Sequence, residues 1–142
     1  MTGPKLHDEE YRRLLELRTG LRRFLRWSEG QAAAAGLTPA QHQLLLAVRG
    51  HDDPRGPTIA DLARSLLLRH HSTVELVDRA ESVGLVRRAP DAIDRRVVRV
   101  RLTERGSRRL AALSAEHLEE LARLGPRMRA LWAGLERVPA NL

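Results

Sequence analysis

Nine arginines lie between residues 85 and 109: Arg87, Arg88, Arg95, Arg96, Arg99, Arg101, Arg105, Arg108 and Arg109. Only Asp91, Asp94 and Glu104 oppose them, so this stretch carries +6 of the chain's net +7. A guanidinium is a permanently charged, planar fork of donors that fits phosphate oxygens and guanine edges. Charge gathered in one short stretch is the electrostatic footprint of a surface for a polyanion. The competing reading is a solvated hairpin whose arginines only keep the protein in solution, but it leaves the helix pair just upstream unexplained. A second group, Arg69-His70-His71-Ser72-Thr73, opens a predicted helix. At a helix N-terminus these side chains reach base edges and phosphates, and the helix dipole itself favours phosphate. Solvent exposure and metal ligation are the alternatives for His70 and His71. Adjacent helix residues point in different directions, and no cysteine or nearby acid cluster supports a metal.

The elements that position these groups can be read from periodicity and punctuation. Residues 8–34 have apolar residues at helical spacing, including Leu14, Leu21, Phe24 and Leu25. Thr38-Pro39-Ala40-Gln41 opens a second helix, with Thr38 as cap, Pro39 in the first turn and Gln41 completing a capping box. It runs to about Arg49 and is followed by the turn-rich loop 51–57. Thr58 caps a short third helix with Ile59, Leu62 and Ala63 inward. A fourth helix, roughly 69–83, carries Val74, Val77 and Ala80 as its core stripe, with Leu76 beside it, and Gly84 ends it. Residues 85–89 and 96–102 read as two strands; in the second, Val98, Val100 and Leu102 alternate with Arg99 and Arg101. Thr103 caps a long last helix that Gly125-Pro126 is expected to kink or break. The expected fold is mainly α with a small β-hairpin, an α+β arrangement. It is a winged helix-turn-helix flanked by long N- and C-terminal helices.

Composition narrows the function classes. Hydrophobic residues make up 42% of the 142, enough for a core, but aromatics only 3%. The core must therefore be built from Leu, Val and Ala. Lys5 is the single lysine. With no cysteine, disulfides, thiolate zinc sites and thiol-based peroxide sensing are excluded. No apolar run approaches the roughly 20 residues of a membrane span, and residues 1–10 lack a signal peptide's apolar stretch. The expectation is a cytoplasmic protein with no membrane association, no cofactor and no metal.

The run from Thr58-Ile59-Ala60-Asp61-Leu62-Ala63 to Leu102-Thr103-Glu104-Arg105-Gly106 resembles the MarR family of winged-helix transcriptional regulators. The matching residues include Ser72-Thr73-Val74, Leu76-Val77-Asp78-Arg79, Gly84-Leu85-Val86-Arg87-Arg88 and Asp94-Arg95-Arg96. The likeness is strong over residues 38–113. It implies a recognition helix, 69–83, in the major groove of double-stranded DNA, and a wing, 85–102, in the minor groove. Arg96 would be the wing arginine and Asp94 would orient it; Arg95 is the competitor, one register away. The other wing arginines, Arg87, Arg88, Arg99 and Arg101, would be phosphate clamps or solvated neighbours. The DNA-contacting set is thus Arg69, His70, His71, Ser72, Thr73, Asp94, Arg95 and Arg96.

The length fits one domain of residues 1–142. Leu14, Leu21 and Leu25 at one end and Leu110, Leu113, Leu121, Leu131 and Leu135 at the other suggest a helical dimer interface, with packing of these faces on each other within one chain as the alternative. The resemblance supports a homodimer built from residues 8–35 and 104–137, around a DNA-binding part at 38–103. Such a dimer would act as a repressor on a palindromic operator, released by a small aromatic or lipophilic effector. Trp27, His42, Leu46 and Arg49 are the candidate lining of the effector site. Trp27 offers an apolar face, and His42 or Arg49 a partner for a carboxylate; ordinary core or surface is the competing reading for each. No catalytic constellation appears, so an enzyme is not expected. The alternative function is a winged-helix protein-interaction module without sequence-specific DNA binding.

Overall fold

The computed structural model describes residues 2–136. The elements run α1 (Asp8–Ala34), α2 (Pro39–Arg49), α3 (Ile59–Leu66), α4 (His70–Ser82), β1 (Val86–Pro90), β2 (Val98–Leu102) and α5 (Glu104–Glu136). The fold is mostly helical with one antiparallel two-stranded hairpin, the expected winged-helix class. The chain divides into two compact units, one of Met1–Gly30 with Ala115–Leu142 and one of Gln31–Ser114. No helix of the described residues is long and apolar enough to cross a membrane.

The core of the second unit is aliphatic, as a sequence poor in aromatics requires. Leu44 and Leu45 of α2, Leu62 of α3, Val77 of α4, Val86 of β1, Val100 of β2 and Leu113 of α5 are fully buried. Two reciprocal capping boxes start the helices that carry this core. Gln41 N donates to Thr38 Oγ1 at 3.1 Å while Thr38 N donates to Gln41 Oε1 at 3.0 Å. Thr58 and Asp61 repeat the exchange at 3.2 and 2.9 Å. The α3–α4 turn passes through Leu67, whose φ of 55° is left-handed and whose side chain is almost wholly exposed. A branched residue adopts that conformation only at a cost. Leu68 N donates to Ala63 O at 3.0 Å and closes the turn.

The inward face of α4 differs from the expected stripe. It is Thr73, Leu76, Val77 and Ala80, while Val74 is only half-buried. A threonine can take a core position here because its hydroxyl donates to Arg69 O at 2.9 Å and leaves no unmet polar group.

Both strands start later than expected; β1 keeps five residues by running on to Pro90, whereas β2 is two residues shorter. After the left-handed Gly84, Leu85 N donates to Ala80 O at 2.9 Å, so Leu85 closes α4 instead of opening β1. At the hairpin tip Asp91 N donates to Val97 O at 2.8 Å and Val97 N to Asp94 O at 3.0 Å. These bonds keep residues 95–97 in the turn and start β2 at Val98. The Leu-Thr-x-x-Gly run then docks α5. Thr103 Oγ1 donates to Gly84 O at 2.6 Å and accepts from Gly106 N at 3.0 Å. A Cβ on Gly106 would lie 2.1 Å from Leu85 O, so only glycine lets the backbones approach.

In the first unit Pro126 lies inside α5, which continues to Glu136. The expectation of a break is corrected. An internal proline costs about 3 kcal/mol, and α5 meets α1 on the far side of it. Gly20 sits where a Cβ would be 3.4 Å from Met128 Sδ, and Arg13 Nη1 donates to Gly134 O at 3.3 Å. The expected helix end at residue 137 lies outside the described residues.

Candidate nucleic-acid interface

Helix α4 begins without a side-chain cap: Arg69 is the extended N-cap residue and makes no capping bond. The first turn holds no acid, so the positive end of the helix dipole is not neutralised by its own side chains. Arg69, His70 and His71 are exposed and Ser72 is half-buried. Thr73 is the exception among the expected contact residues. It is fully buried with its hydroxyl spent on Arg69 O, which corrects its assignment as a base-reading side chain. Among the described residues no group of three or more His, Cys, Asp and Glu is arranged to hold a metal.

The wing tip is built around Asp91, a buried carboxylate that the sequence reading did not single out. Its Oδ2 accepts from Ile93 N at 3.1 Å and Asp94 N at 2.9 Å; its Oδ1 accepts from Arg99 Nε at 3.1 Å. These donors hold the carboxyl below the usual carboxylate range, the Asp94 backbone N–H contributing most. The signal was present as Pro90-Asp91, an aspartate placed to bond backbone N–H groups two and three residues on. Asp94 grips Arg96: the backbone N–H, Nε and Nη2 of Arg96 donate to its two oxygens at 3.1, 3.1 and 3.2 Å. The Arg96 side chain lowers the Asp94 pKa. Arg96 is nonetheless 91% exposed. Arg95 is exposed and makes no hydrogen bond or ion pair among the described residues. The geometry of the expected pair therefore attaches to Arg96, not to Arg95.

Three other wing arginines, expected to be clamps or solvated, bond to the fold itself. Arg88 joins β1 to α4 by donating to Asp78 at 2.6 Å and to Glu81 at 2.8 Å, and its backbone N–H donates to Glu81 at 2.9 Å. Arg99 donates to Asp91 and, through Nη1, to Gly56 O at 3.0 Å. Arg101 donates to Pro54 O at 2.8 Å. Their partners lie in α4, at the wing tip or in the 51–57 loop, where sequence spacing gives no clue. Arg87 is exposed and, like Arg95, unpaired among the described residues.

The four candidate effector residues fall in both units, His42, Leu46 and Arg49 on α2 of the second. Trp27 belongs to the first unit, where its ring lies 5.9 Å from Phe24 and edge-on to His117 at 4.8 Å. Nε2 of His117 is 2.6 Å from Ser28 Oγ. His42 is buried in α2. Leu46 and Arg49 line different cavities of the second unit, of about 520 and 200 Å³. The larger cavity of about 690 Å³ lies within the first unit, between α1 and α5, walled by Leu15, Phe24, Leu121 and Met128 with Arg23 and Arg127 beside them.

Comparisons with known proteins agree with this architecture. Residues 35–97 match the sequence model of the MarR family. A MarR family protein from Bacillus stearothermophilus superposes with a TM-score of 0.71 at 26% identity, over 84% of this chain and 82% of that one. A Staphylococcus aureus MepR variant bound to an oligodeoxyribonucleotide superposes at 0.65 and 18% identity, over 92% and 96%. CouR from Rhodococcus jostii, bound to p-coumaroyl-CoA, superposes at 0.65 and 23% identity, over 89% and 91%. No curated protein matches the sequence.

Proposed function

We propose, for a chain whose residues 35–97 match the sequence model of the MarR family, the function of a homodimeric transcriptional repressor on a palindromic operator. The observation that carries this reading is Arg96, 91% exposed at the wing tip and held there by Asp94. A fixed guanidinium projecting from a narrow hairpin suits a minor groove, whose negative potential attracts arginine. The start of α4 supplies the second contact. Its uncapped N–H groups suit a phosphate, and Arg69, His70, His71 and Ser72 suit the major groove, which is about 12 Å wide. The likeness to a MepR variant bound to an oligodeoxyribonucleotide supports the same ligand.

The dimer is supported by Tyr11, Leu14 and Leu25 of α1 and by Leu118 and Trp132 of α5, all exposed in a single chain. Apolar side chains this large and numerous mark an interaction surface. A twofold dimer reads half-sites about 34 Å apart, which is the reason for a palindrome. Release by a small lipophilic acid completes the reading. A CouR neighbour is bound to p-coumaroyl-CoA, and the 690 Å³ cavity has the size and apolar walls of a ligand site, with Arg23 and Arg127 to meet an acid group.

Selection from a random duplex library followed by footprinting tests this function. An inverted repeat protected at about one helical turn spacing is expected, with a dimeric mass by sedimentation. Absence of any enriched duplex at moderate salt would instead support a protein-interaction module. Among aromatic and acyl acids, one that raises the melting temperature and releases the duplex is the effector expected; a flat response would remove that part of the function.

A further inference from the structure

Arg96 is held at the surface by bonds that lead inward, residue by residue, to a different loop. Its guanidinium donates to Asp94, whose own backbone N–H donates to Asp91 Oδ2 at 2.9 Å. The other oxygen of Asp91 accepts from Arg99 Nε at 3.1 Å, and Arg99 Nη1 donates to the carbonyl of Gly56 at 3.0 Å. Asp53 and Arg55 brace the inner end: Arg55 pairs with Asp53 at 2.8 Å and stands 3.8 Å from Asp91, and Arg99 stands 3.9 Å from Asp53. The side chains of Asp91 and Arg99 are only 3% and 12% exposed, so most of their surface is spent on the fold.

Gly56 makes the anchor possible. Its φ is +94°, and a Cβ would meet Val100 O and Arg101 Cδ at 3.0 Å each. Replacing a buried ion pair by well-packed apolar residues is commonly neutral or stabilising, so stability is a poor reason for this one. What the pair does supply is geometry. It ties the hairpin tip to a loop 35–43 residues earlier in the chain and dictates where the Asp94 carboxylate stands. An arginine free to sample its rotamers must be ordered when it binds, whereas one already held has lost that entropy in folding.

We propose that Asp91 and Arg99 are positioning residues, which relay the fixed backbone of the 53–56 loop to the wing tip and so set the direction of the Arg96 guanidinium. The functional meaning rests on the reading of Arg96 as a minor-groove residue; the positioning itself is a property of the free protein. The two are therefore tested separately.

In the free protein, the ¹⁵N relaxation of Arg96 Nε reports its order. It is expected to be rigid in the wild type and as mobile as Arg95 in Asp91→Asn. Arg99→Lys keeps the charge but loses the fork, and should free Arg96 in the same way if Asp91→Asn fails to fold. An Arg96 Nε signal that is mobile in the wild type, or unmoved by both variants, would overturn the proposal.

On the selected duplex at fixed salt, Asp91→Asn is expected to weaken binding about three- to tenfold. In an Arg96→Ala background it should cost nothing further. Losses that multiply in the double variant would make Asp91 merely structural and would also overturn the proposal. If the relaxation result holds while no duplex binds even the wild type, the positioning stands and the DNA reading falls.

Discussion

At the wing tip Arg96 stands in solvent yet is tied down through Asp94 and Asp91 to the largely covered guanidinium of Arg99. At the start of α4 the side chains of Arg69, His70 and His71 are also exposed, but no hydrogen bond holds them among the described residues. There it is the backbone that is ordered, with Thr73 N donating to Arg69 O at 3.0 Å and the Thr73 hydroxyl reinforcing the same carbonyl. One region presents a fixed side chain on a flexible type of element, a hairpin. The other presents adaptable side chains on a rigid one, a helix. The lesson is that local charge does not reveal role: Arg88, Arg99 and Arg101 carry the same charge as Arg95 and Arg96 and are committed to building the platform.

The largest effect expected is on the frame that carries both regions. Gly106→Ala places a methyl 2.1 Å from Leu85 O, where only backbone can give way. A loss of about 3 kcal/mol, the upper part of the range for overpacking, should appear as a lower denaturant midpoint and melting temperature. Retained stability would mean that the α5 junction is looser than described.

Next is Arg88→Ala, which separates the committed arginines from the presented ones. It removes the guanidinium bonds to Asp78 and Glu81 between β1 and α4 and leaves only the backbone N–H bond to Glu81. Partly exposed pairs of this kind contribute about 1 kcal/mol each. The expected result is lower stability, with the salt slope of DNA binding unchanged. A slope that falls instead would make Arg88 a phosphate contact.

Arg87→Ala and Arg95→Ala should behave in the opposite way. Each should leave stability alone and reduce the salt slope by about one unit with little change in sequence preference. A change of preference in Arg95→Ala would return it to contention with Arg96.

The smallest effect is acid sensitivity. Asp53, Asp91 and Asp94 all have pKa values lowered by arginines and backbone N–H groups. A carboxylate lowered in the folded state contributes stability above its unfolded pKa, near 3.9, and loses it as pH falls through the folded value. Melting temperature should therefore fall below about pH 4, and more gently in Asp91→Asn, measured over the same range. An unchanged acid limb in that variant would contradict the placement of Asp91.

Much of this frame was legible from local signals. The two threonine caps, the left-handed Gly84 and the Leu-Thr-x-x-Gly junction announce themselves within four residues, because each is a short-range hydrogen-bond device. The pairing of Asp94 with Arg96 came from the resemblance to the MarR family, which left Arg95 as a competitor one register away. What was not legible depends on tertiary context. Thr73 reads as polar, and only its bond to Arg69 O permits it inside. Pro126 reads as a kink or break, yet α5 continues past it to Glu136. Arg99 and its partner carbonyl at Gly56 are 43 residues apart, a pairing no periodicity contains.

The central claim is that Arg96 is the wing's DNA contact. A titration of the selected duplex at constant salt, wild type against Arg96→Ala, tests it most directly. The account predicts a loss of roughly 1–3 kcal/mol in binding free energy, about 5- to 150-fold in Kd, with the melting temperature of the protein unchanged. Equal affinities for the two proteins would contradict it.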